Sequence, residues 1–324
     1  MSLEVVKPGL LATLQDMGRS GFAHLGIGRA GAFDVPALRI ANALCGNPPD
    51  ACALEFTLLG PTLRARTDVW VALAGANCAF TVDGVARPAW APVRVPASAT
   101  IAIGPARDGC RGYLAVRGGI DVAPVLGSRS ADVNARLGPR DGRPLQAGDR
   151  LPVAASTGEV RPSAGHRTAW RIDPRPWFIH DAKQPLRLLP GTHAARLASD
   201  SFAALFAQTF TVREDSNRVG LRLSGPALEW DAPIEMISEG CVPGVLQLPP
   251  SGQPIAFGPE CPVSGGYPRI GQIAAVDLPR LAQLRPGDAL RFAACTLTAA
   301  RQALQRRGRA LRQLETNIAA RLRA

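Results

Sequence analysis

The sequence is short of lysine, aromatic residues and long apolar runs, and each shortage narrows what the chain can do. Of its 37 basic residues only Lys7 and Lys183 are lysines, a skew toward arginine that reads as codon usage more than as a selected surface. The 10 Phe, 5 Trp and 2 Tyr are not interleaved with basic runs as an RNA-stacking platform requires. More than half of the formal +11 charge lies from Leu297 onward, where seven arginines face one glutamate, Glu315. No nucleic-acid partner is therefore expected. No stretch approaches the roughly 18 uninterrupted apolar residues of a membrane span. The opening MSLEVVKPGL lacks the charged and apolar regions of a secretory leader, so the expectation is a cytoplasmic protein with no membrane partner.

Several motifs are also missing. The cysteines, Cys45, Cys52, Cys78, Cys110, Cys241, Cys261 and Cys295, are odd in number and contain no C-x-x-C pair, which fits reduced, mostly buried thiols. His24, His166, His180 and His193 show no metal-ligand spacing, and His180-Asp181 reads as a surface pair. No metal is expected. There is no G-x-x-x-x-G-K-[ST] phosphate loop. Residues 26–31 do match G-x-G-x-x-G, but a turn-rich polar segment precedes them where a dinucleotide fingerprint needs a buried strand.

What is present is a folded chain of 324 residues, long enough for two domains, with 46% hydrophobic and 19% charged residues, 33 Gly and 29 Pro. Short apolar stretches bounded by Gly, Pro and Asp point to a mainly β protein with a few short helices. Examples are 69–74 and 79–82 before the Asp83-Gly84 turn, and the stretches holding Ile101, Ile103, Leu114 and Val116. A first helix is expected after Asp34 as its cap, with Pro36 in the first turn and Gly46 as the stop. A second is expected over 277–284, and a third from Leu297 with the stripe Leu304, Leu311, Leu314, Ile318 and Leu322.

Segments recur between the halves. Residues 58–63 resemble 223–228, Gly112-Tyr113 resembles Gly266-Tyr267, and 145–149 resemble 284–288. A duplicated barrel would give this order, as would chance recurrence of Gly-Pro turns. The expected organisation is a first domain over 1–155, a linker over 156–170, a second domain over 171–296 and a basic helix over 297–324.

Three polar clusters combine charge with backbone freedom. Asp16, Arg19 and Asp34 surround glycines whose amides can approach an anion. Asn217 and Arg218 lie in a turn-forming stretch before an apolar strand. Glu239, Gln247, Glu260, Ser264, Gly265, Gly266 and Tyr267 occupy Gly-rich loops suited to a small polar carbonyl compound.

At these segments the chain resembles the family that unites allophanate hydrolase subunit 2 with the C subunit of 5-oxoprolinase, and is similar to the carboxyltransferase domain of urea carboxylase. The motifs carrying the resemblance include "LATLQDMGRSGFAHLGIGRAGAFDVPAL", "LEFTLLGPTL", "SNRVGLRLSGPAL", "SEGCVPGVLQLPPSGQPI" and "SGGYPRIGQIAAVDL". Where members often carry an "ADRQTTGGYP"-like loop, this chain has Glu260, Cys261 and Pro262 in "PECPVSGGYP".

The resemblance implies two cyclophilin-like β-barrel domains in tandem and an ATP-dependent 5-oxoprolinase subunit, a lactam hydrolase active only with companion A and B subunits. ATP would sit at a shared site. It further implies Glu239, Glu260 and Tyr267 as catalytic candidates. Asp16, Arg19, Asp34, Asn217, Arg218, Gln247, Ser264, Gly265 and Gly266 would bind the small-molecule amide substrate. On this view Arg19 and Arg218 hold an anion, and Arg218→Ala is expected to abolish turnover while leaving the fold intact. Two alternatives remain: a carboxyltransferase or allophanate hydrolase component acting on urea or a related amide, with biotin on a separate carrier, and a non-catalytic regulatory partner of the B subunit.

Overall fold

A computed structural model describes residues 1–155, 170–178, 180 and 184–323. The expected linker therefore lies outside the described residues, apart from its last position. The chain forms two compact units, Met1–Arg19 with Asp34–Ile179 and Ala310–Ala324, and Ser20–Phe33 with His180–Arg309. Both are mainly β with few helices.

Among the described residues the first unit holds nine strands: β1 (Ser2–Lys7), β2 (Leu11–Gln15), β3 (Ala53–Thr57), β4 (Thr62–Ala65), β5 (Val69–Val82), β6 (Val85–Ala86), β7 (Pro92–Val95), β8 (Thr100–Val116) and β9 (Arg150–Pro152). They form one sheet in the order β2-β3-β8-β4-β1-β9, with β5 along the other edge of β8 and carrying β6 and β7. The sheet does not close and makes a half-barrel. The short apolar segments expected at 69–82 and 100–116 are in fact two long strands. Their glycines and polar residues do not end the pairing, because register shifts near Gly75, Asn77 and Cys78 absorb them as bulges. Gly75 has φ +93, and a Cβ there would lie 2.5 Å from the Arg111 carbonyl oxygen, so only glycine fits. Asp83 and Gly84 both take positive φ, 50° and 76°, as the tight hairpin into β6 requires. Val5, Phe56, Leu63 and Ile101 have no exposed surface and anchor the core. Burying each such side chain contributes about 1.5–3 kcal/mol.

Helix α1 (Val35–Leu44) begins as expected, with the Asp34 carboxylate accepting from the Ala37 N–H at 3.1 Å and Pro36 in the first turn. Leu38, Ile40, Ala41 and Leu44 are buried, and Gly46, φ 71, follows its end.

The second unit holds β10 (Leu186–Pro190), β11 (Phe210–Val212), β12 (Gly220–Ser224), β13 (Glu239–Gly240), β14 (Val245–Gln247), β15 (Ile255–Phe257), β16 (Ser264–Gly265), β17 (Arg269–Ile273), β18 (Ala289–Leu290) and β19 (Phe292–Ala294), with helices α2 (Ser199–Ala207), α3 (Leu278–Gln283) and the first part of α4 (Leu297–Arg323), up to Arg309. Eight strands run β18-β11-β12-β15-β14-β17-β10-β19, while β13 and β16 pair only with each other. The end strands β18 and β19 are separated by one residue, Arg291, so the sheet curls into a nearly closed barrel around Leu188, Leu246, Ile270 and Ile273.

Asp277 precedes α3 without capping it through its side chain. Its carboxylate instead receives the Arg187 N–H at 2.9 Å and Nη1 at 2.8 Å. Along α4 the leucine stripe divides. Leu304 is 45% exposed, whereas Leu311, Ile318 and Leu322 are buried, because only the part from Ala310 belongs to the first unit. There Arg39 grips Glu315 with two bonds of 2.8 and 2.7 Å.

The recurring segments share local geometry only in part. Gly148 and Gly287 have φ 88° and 87°, and the following Asp149 and Asp288 accept from Gln146 and Arg285 amides, each at 2.8 Å. The first turn exchanges backbone bonds with Val5 on β1, and the second with Val212 on β11. Gly112-Tyr113 and Gly266-Tyr267 are not equivalent: Tyr113 is fully buried in β8, and Tyr267 is 45% exposed between β16 and β17.

Candidate active site

In the first unit, Asp16 follows β2 and is almost fully buried. Its Oδ1 accepts from Ser128 Oγ and Ser130 Oγ, both at 2.6 Å, and from the Gly18 N–H at 2.8 Å; Oδ2 accepts from the Arg129 N–H at 2.5 Å. Arg19 donates through Nη2 to the Ser130 carbonyl oxygen. The "QDMGR" segment is thus fastened to the "GSRSA" segment more than a hundred residues away. Four donors occupy the Asp16 carboxylate, as suits a buried charge that holds a turn.

A second buried chain of bonds lies in the same unit. The Tyr113 hydroxyl donates to Glu55 Oε2 at 2.6 Å and accepts from the Asp34 N–H at 2.7 Å. Glu55 and Tyr113 are direct cross-strand partners on β3 and β8. Burial, then the nearby Glu55 and Asp34 carboxylates, push the Tyr113 phenol well above its ordinary value, so it stays a neutral donor. Glu55 was not among the sequence candidates, although an acid inside the apolar run of β3 is a visible signal.

In the second unit, Arg218 and Glu260 form a buried pair, with Nε to Oε1 at 2.5 Å. Nη2 of Arg218 also donates to the Gly31 carbonyl oxygen at 2.7 Å. Gly31, φ 91, closes the G-x-G-x-x-G stretch, which follows a 3-10 turn over Ala23–Leu25 and no strand. Its role here is to receive Arg218. The Asn217 side chain accepts from the Val219 N–H at 2.8 Å and shapes the turn into β12.

The remaining candidates gather at the small β13/β16 ladder, where Glu239 stands opposite Gly265 and Gly240 opposite Ser264. Behind Gly265 lies the buried Gln247, whose Nε2 donates to Cys241 Sγ at 3.5 Å. A Cβ on Gly265 would come within 2.8 Å of that Nε2. Burial, with the Glu239 carboxylate adding and Arg269 opposing, raises the Cys241 thiol, so it is a neutral hydrogen-bonding group and not a nucleophile. In front, Arg269 Nη2 meets Glu239 Oε2 at 2.5 Å, and Nη1 donates to the Gly240 carbonyl oxygen at 3.2 Å. These two side chains are about one-third exposed, and Tyr267 and Ser264 are exposed. Arg269 was passed over in the sequence although it follows Tyr267 by two residues.

The candidates thus divide by environment. Asp16, Arg19, Asp34, Arg218, Glu260 and Gln247 are buried, and Glu239, Ser264 and Tyr267 reach solvent beside glycines. A partly exposed carboxylate, guanidinium and phenol can hold a small polar ligand and exchange protons with it. His180 pairs with Asp288 at 2.8 Å, while Asp181 lies outside the described residues. Among the described residues no cluster of three or more His, Cys, Asp or Glu could hold a metal, and no helix is long and apolar enough to cross a membrane.

Comparison with known proteins gives this geometry a context. The chain is 38% identical over 315 residues to the 5-oxoprolinase C subunit of Escherichia coli, covering 96% of this chain and 97% of that protein. It is 35% identical to the 5-oxoprolinase C subunit of Haemophilus influenzae, covering 88% and 89%. The crystal structure of K. lactis urea amidolyase superimposes with a TM-score of 0.87 at 27% identity over 96% of this chain, which spans 20% of that larger chain. Residues 25–294 match the family model described as the carboxyltransferase domain, subdomain A and B, and with near full-length relatives above one-third identity the chain belongs to this family.

Proposed function

We propose that this chain is the C subunit of an ATP-dependent 5-oxoprolinase, which opens the 5-oxoproline lactam to L-glutamate together with A and B subunits. The observation that carries this reading is the 38% identity to a protein of that name over 97% of its length. A lactam is a stable amide. Phosphorylation of its carbonyl oxygen by ATP would activate the carbon toward water; collapse of the adduct breaks the C–N bond and frees the amine, and a second water displaces phosphate from the resulting acyl phosphate. The arginines first considered for anion binding have other partners, Arg218 in Glu260 and the Gly31 carbonyl, Arg19 in the Ser130 carbonyl. We therefore place no nucleotide on these clusters.

In this reading the β13/β16 ladder carries the lactam. Glu239 moves the proton, Tyr267 and Ser264 hydrogen-bond the substrate, and the Gly265 and Gly266 amides polarise its carbonyl. Asp16, Arg19, Asp34, Asn217, Arg218, Glu260 and Gln247 serve as framework. The two units are read as cyclophilin-like, the first as an open half-barrel and the second as a nearly closed barrel, a view supported by the shared Gly-Asp turn at 148–149 and 287–288.

The test is to assemble the chain with its A and B subunits and measure 5-oxoproline-dependent ADP release and glutamate formation. Stoichiometric release of both supports the reading. A complex inert on 5-oxoproline but active on urea or another amide with a biotin carrier would replace it with carboxyl transfer, a second reading favoured by the likeness to urea amidolyase.

A further inference from the structure

We infer that Arg269 recognises the carboxylate of the substrate and that Glu239 occupies its place when no substrate is bound. This rests on the reading of 5-oxoproline as the substrate, and it adds a specificity residue to that site.

The two partners are held very differently. Arg269 opens β17, where it pairs with Gln247 in the eight-stranded sheet. Its N–H donates to His193 Nδ1 and its carbonyl accepts from the His193 N–H, both at 3.1 Å. Glu239 lies on the two-residue β13, whose sole strand partner is the equally short β16. Two neighbouring residues, Ser238 and Ile237, are exposed, Ile237 at 88%. The backbone that carries Arg269 is thus tied into the main sheet, whereas Glu239 sits on the short ladder and is the partner more easily displaced.

The guanidinium is also incompletely used. Nη2 holds one oxygen of Glu239 and Nη1 holds the Gly240 carbonyl, while Nε is shielded from solvent and has no hydrogen-bond partner among the described residues. The edge formed by Nε and Nη2 is the one that accepts a carboxylate side-on with two parallel bonds. Glu239 makes an ion pair with Nη2 alone, through an oxygen that is itself shielded from solvent and without a hydrogen bond among the described residues. A carboxylate carried on a small ring can supply both bonds and thereby satisfies a donor that is idle in the free protein. In 5-oxoproline the carboxylate is attached to the carbon next to the lactam nitrogen, so an anchor at Arg269 keeps the ring beside the ladder that bears Ser264, Gly265 and Tyr267. Displacing Glu239 at the same moment releases its carboxylate to act as the proton carrier.

The experiment uses the assembled complex with 5-oxoproline and with 2-pyrrolidinone, the same lactam without the carboxylate. Arg269→Gln should raise KM for 5-oxoproline about 100-fold, the loss of two charge-assisted bonds, with a much smaller change in kcat and with the preference over 2-pyrrolidinone abolished. Arg269→Lys, a point charge in place of a fork, should fall between. Without ATP, Glu239→Gln should tighten equilibrium binding of 5-oxoproline several-fold, because the resident competitor is gone.

An Arg269→Gln complex that keeps its KM and its preference overturns the inference. So does a Glu239→Gln complex that binds 5-oxoproline no better than wild type. If Arg269→Gln fails to assemble, the lysine variant and the Glu239→Gln affinity decide. If the wild-type complex does not consume 5-oxoproline, the functional reading has failed, and the binding arm still judges Arg269. Equal affinity of wild type for the two lactams rejects it, and tighter binding of 5-oxoproline that Arg269→Gln removes upholds it.

Discussion

The carboxylates of the first unit and those at the β13/β16 ladder differ in how completely they are satisfied. Asp16 receives four hydrogen bonds and is shut away from water, whereas Glu239 meets one guanidinium at a partly exposed edge. A buried charge held by four hydrogen bonds cannot exchange partners without a large penalty, so it holds geometry. A charge at the surface with one partner can exchange it cheaply. Both kinds share the same signature in sequence, acid and arginine among glycines, and separate only in their surroundings.

The strongest way to break this comparison is Arg218→Ala. The sequence led us to expect lost turnover with an intact fold, but the substitution leaves the Glu260 carboxylate buried without its guanidinium. Stability should fall by roughly 3–5 kcal/mol, read by urea denaturation, and replacing both residues with apolar side chains of similar volume should restore most of it. Asp16→Ala orphans two serine hydroxyls and two backbone amides and should cost about 1–3 kcal/mol for each of these donors that water does not reach. If either variant melts like the wild type, the division between framework and ladder is wrong.

Gly265→Ala sharpens the comparison from the other side. The added methyl presses on Gln247 and Cys241, a strain of about 1–3 kcal/mol, and in the assembled complex activity should fall further than stability. Labelling of the native chain by a small thiol reagent should be confined to Cys295, since the other six thiols are buried.

The smallest effects belong to ion pairs that are only partly covered. Asp149, beside Arg143 and Arg140, has its carboxyl held below the usual range, chiefly by the Arg143 bonds. Its contribution is complete above the unfolded aspartate value of about 3.9 and is lost as the pH falls through the lower folded value. Asp149→Asn should flatten that acid limb of the stability profile. Arg39→Ala, which breaks the half-buried, two-bond pair with Glu315, should cost about 1–2 kcal/mol.

Local features were readable in the sequence wherever neighbouring residues decide them. Asp34, Pro36 and Gly46 announced α1, the Asp83-Gly84 pair announced its hairpin, and the turn-rich approach to Gly26 excluded a dinucleotide loop. What stayed hidden depends on pairing across the chain. Ser128 and Ser130 meet Asp16 from more than a hundred residues away, and Glu55 meets Tyr113 through strand register. Bulges near Gly75 carry β5 and β8 through residues that look like breaks. Arg269 was missed for a related reason: its partner Glu239 is 30 positions back, on a ladder too short to leave a pattern.

The division of the chain has a consequence for its synthesis. The first unit needs residues from both ends of the sequence, since the stretch from Ala310 onward belongs to it, while Ser20–Phe33 belongs to the second. A ribosome therefore releases the last piece of the first unit only after the whole second unit has emerged. Folding cannot finish in the order of translation, and the incomplete first unit must remain competent to accept its closing helix until that segment is made.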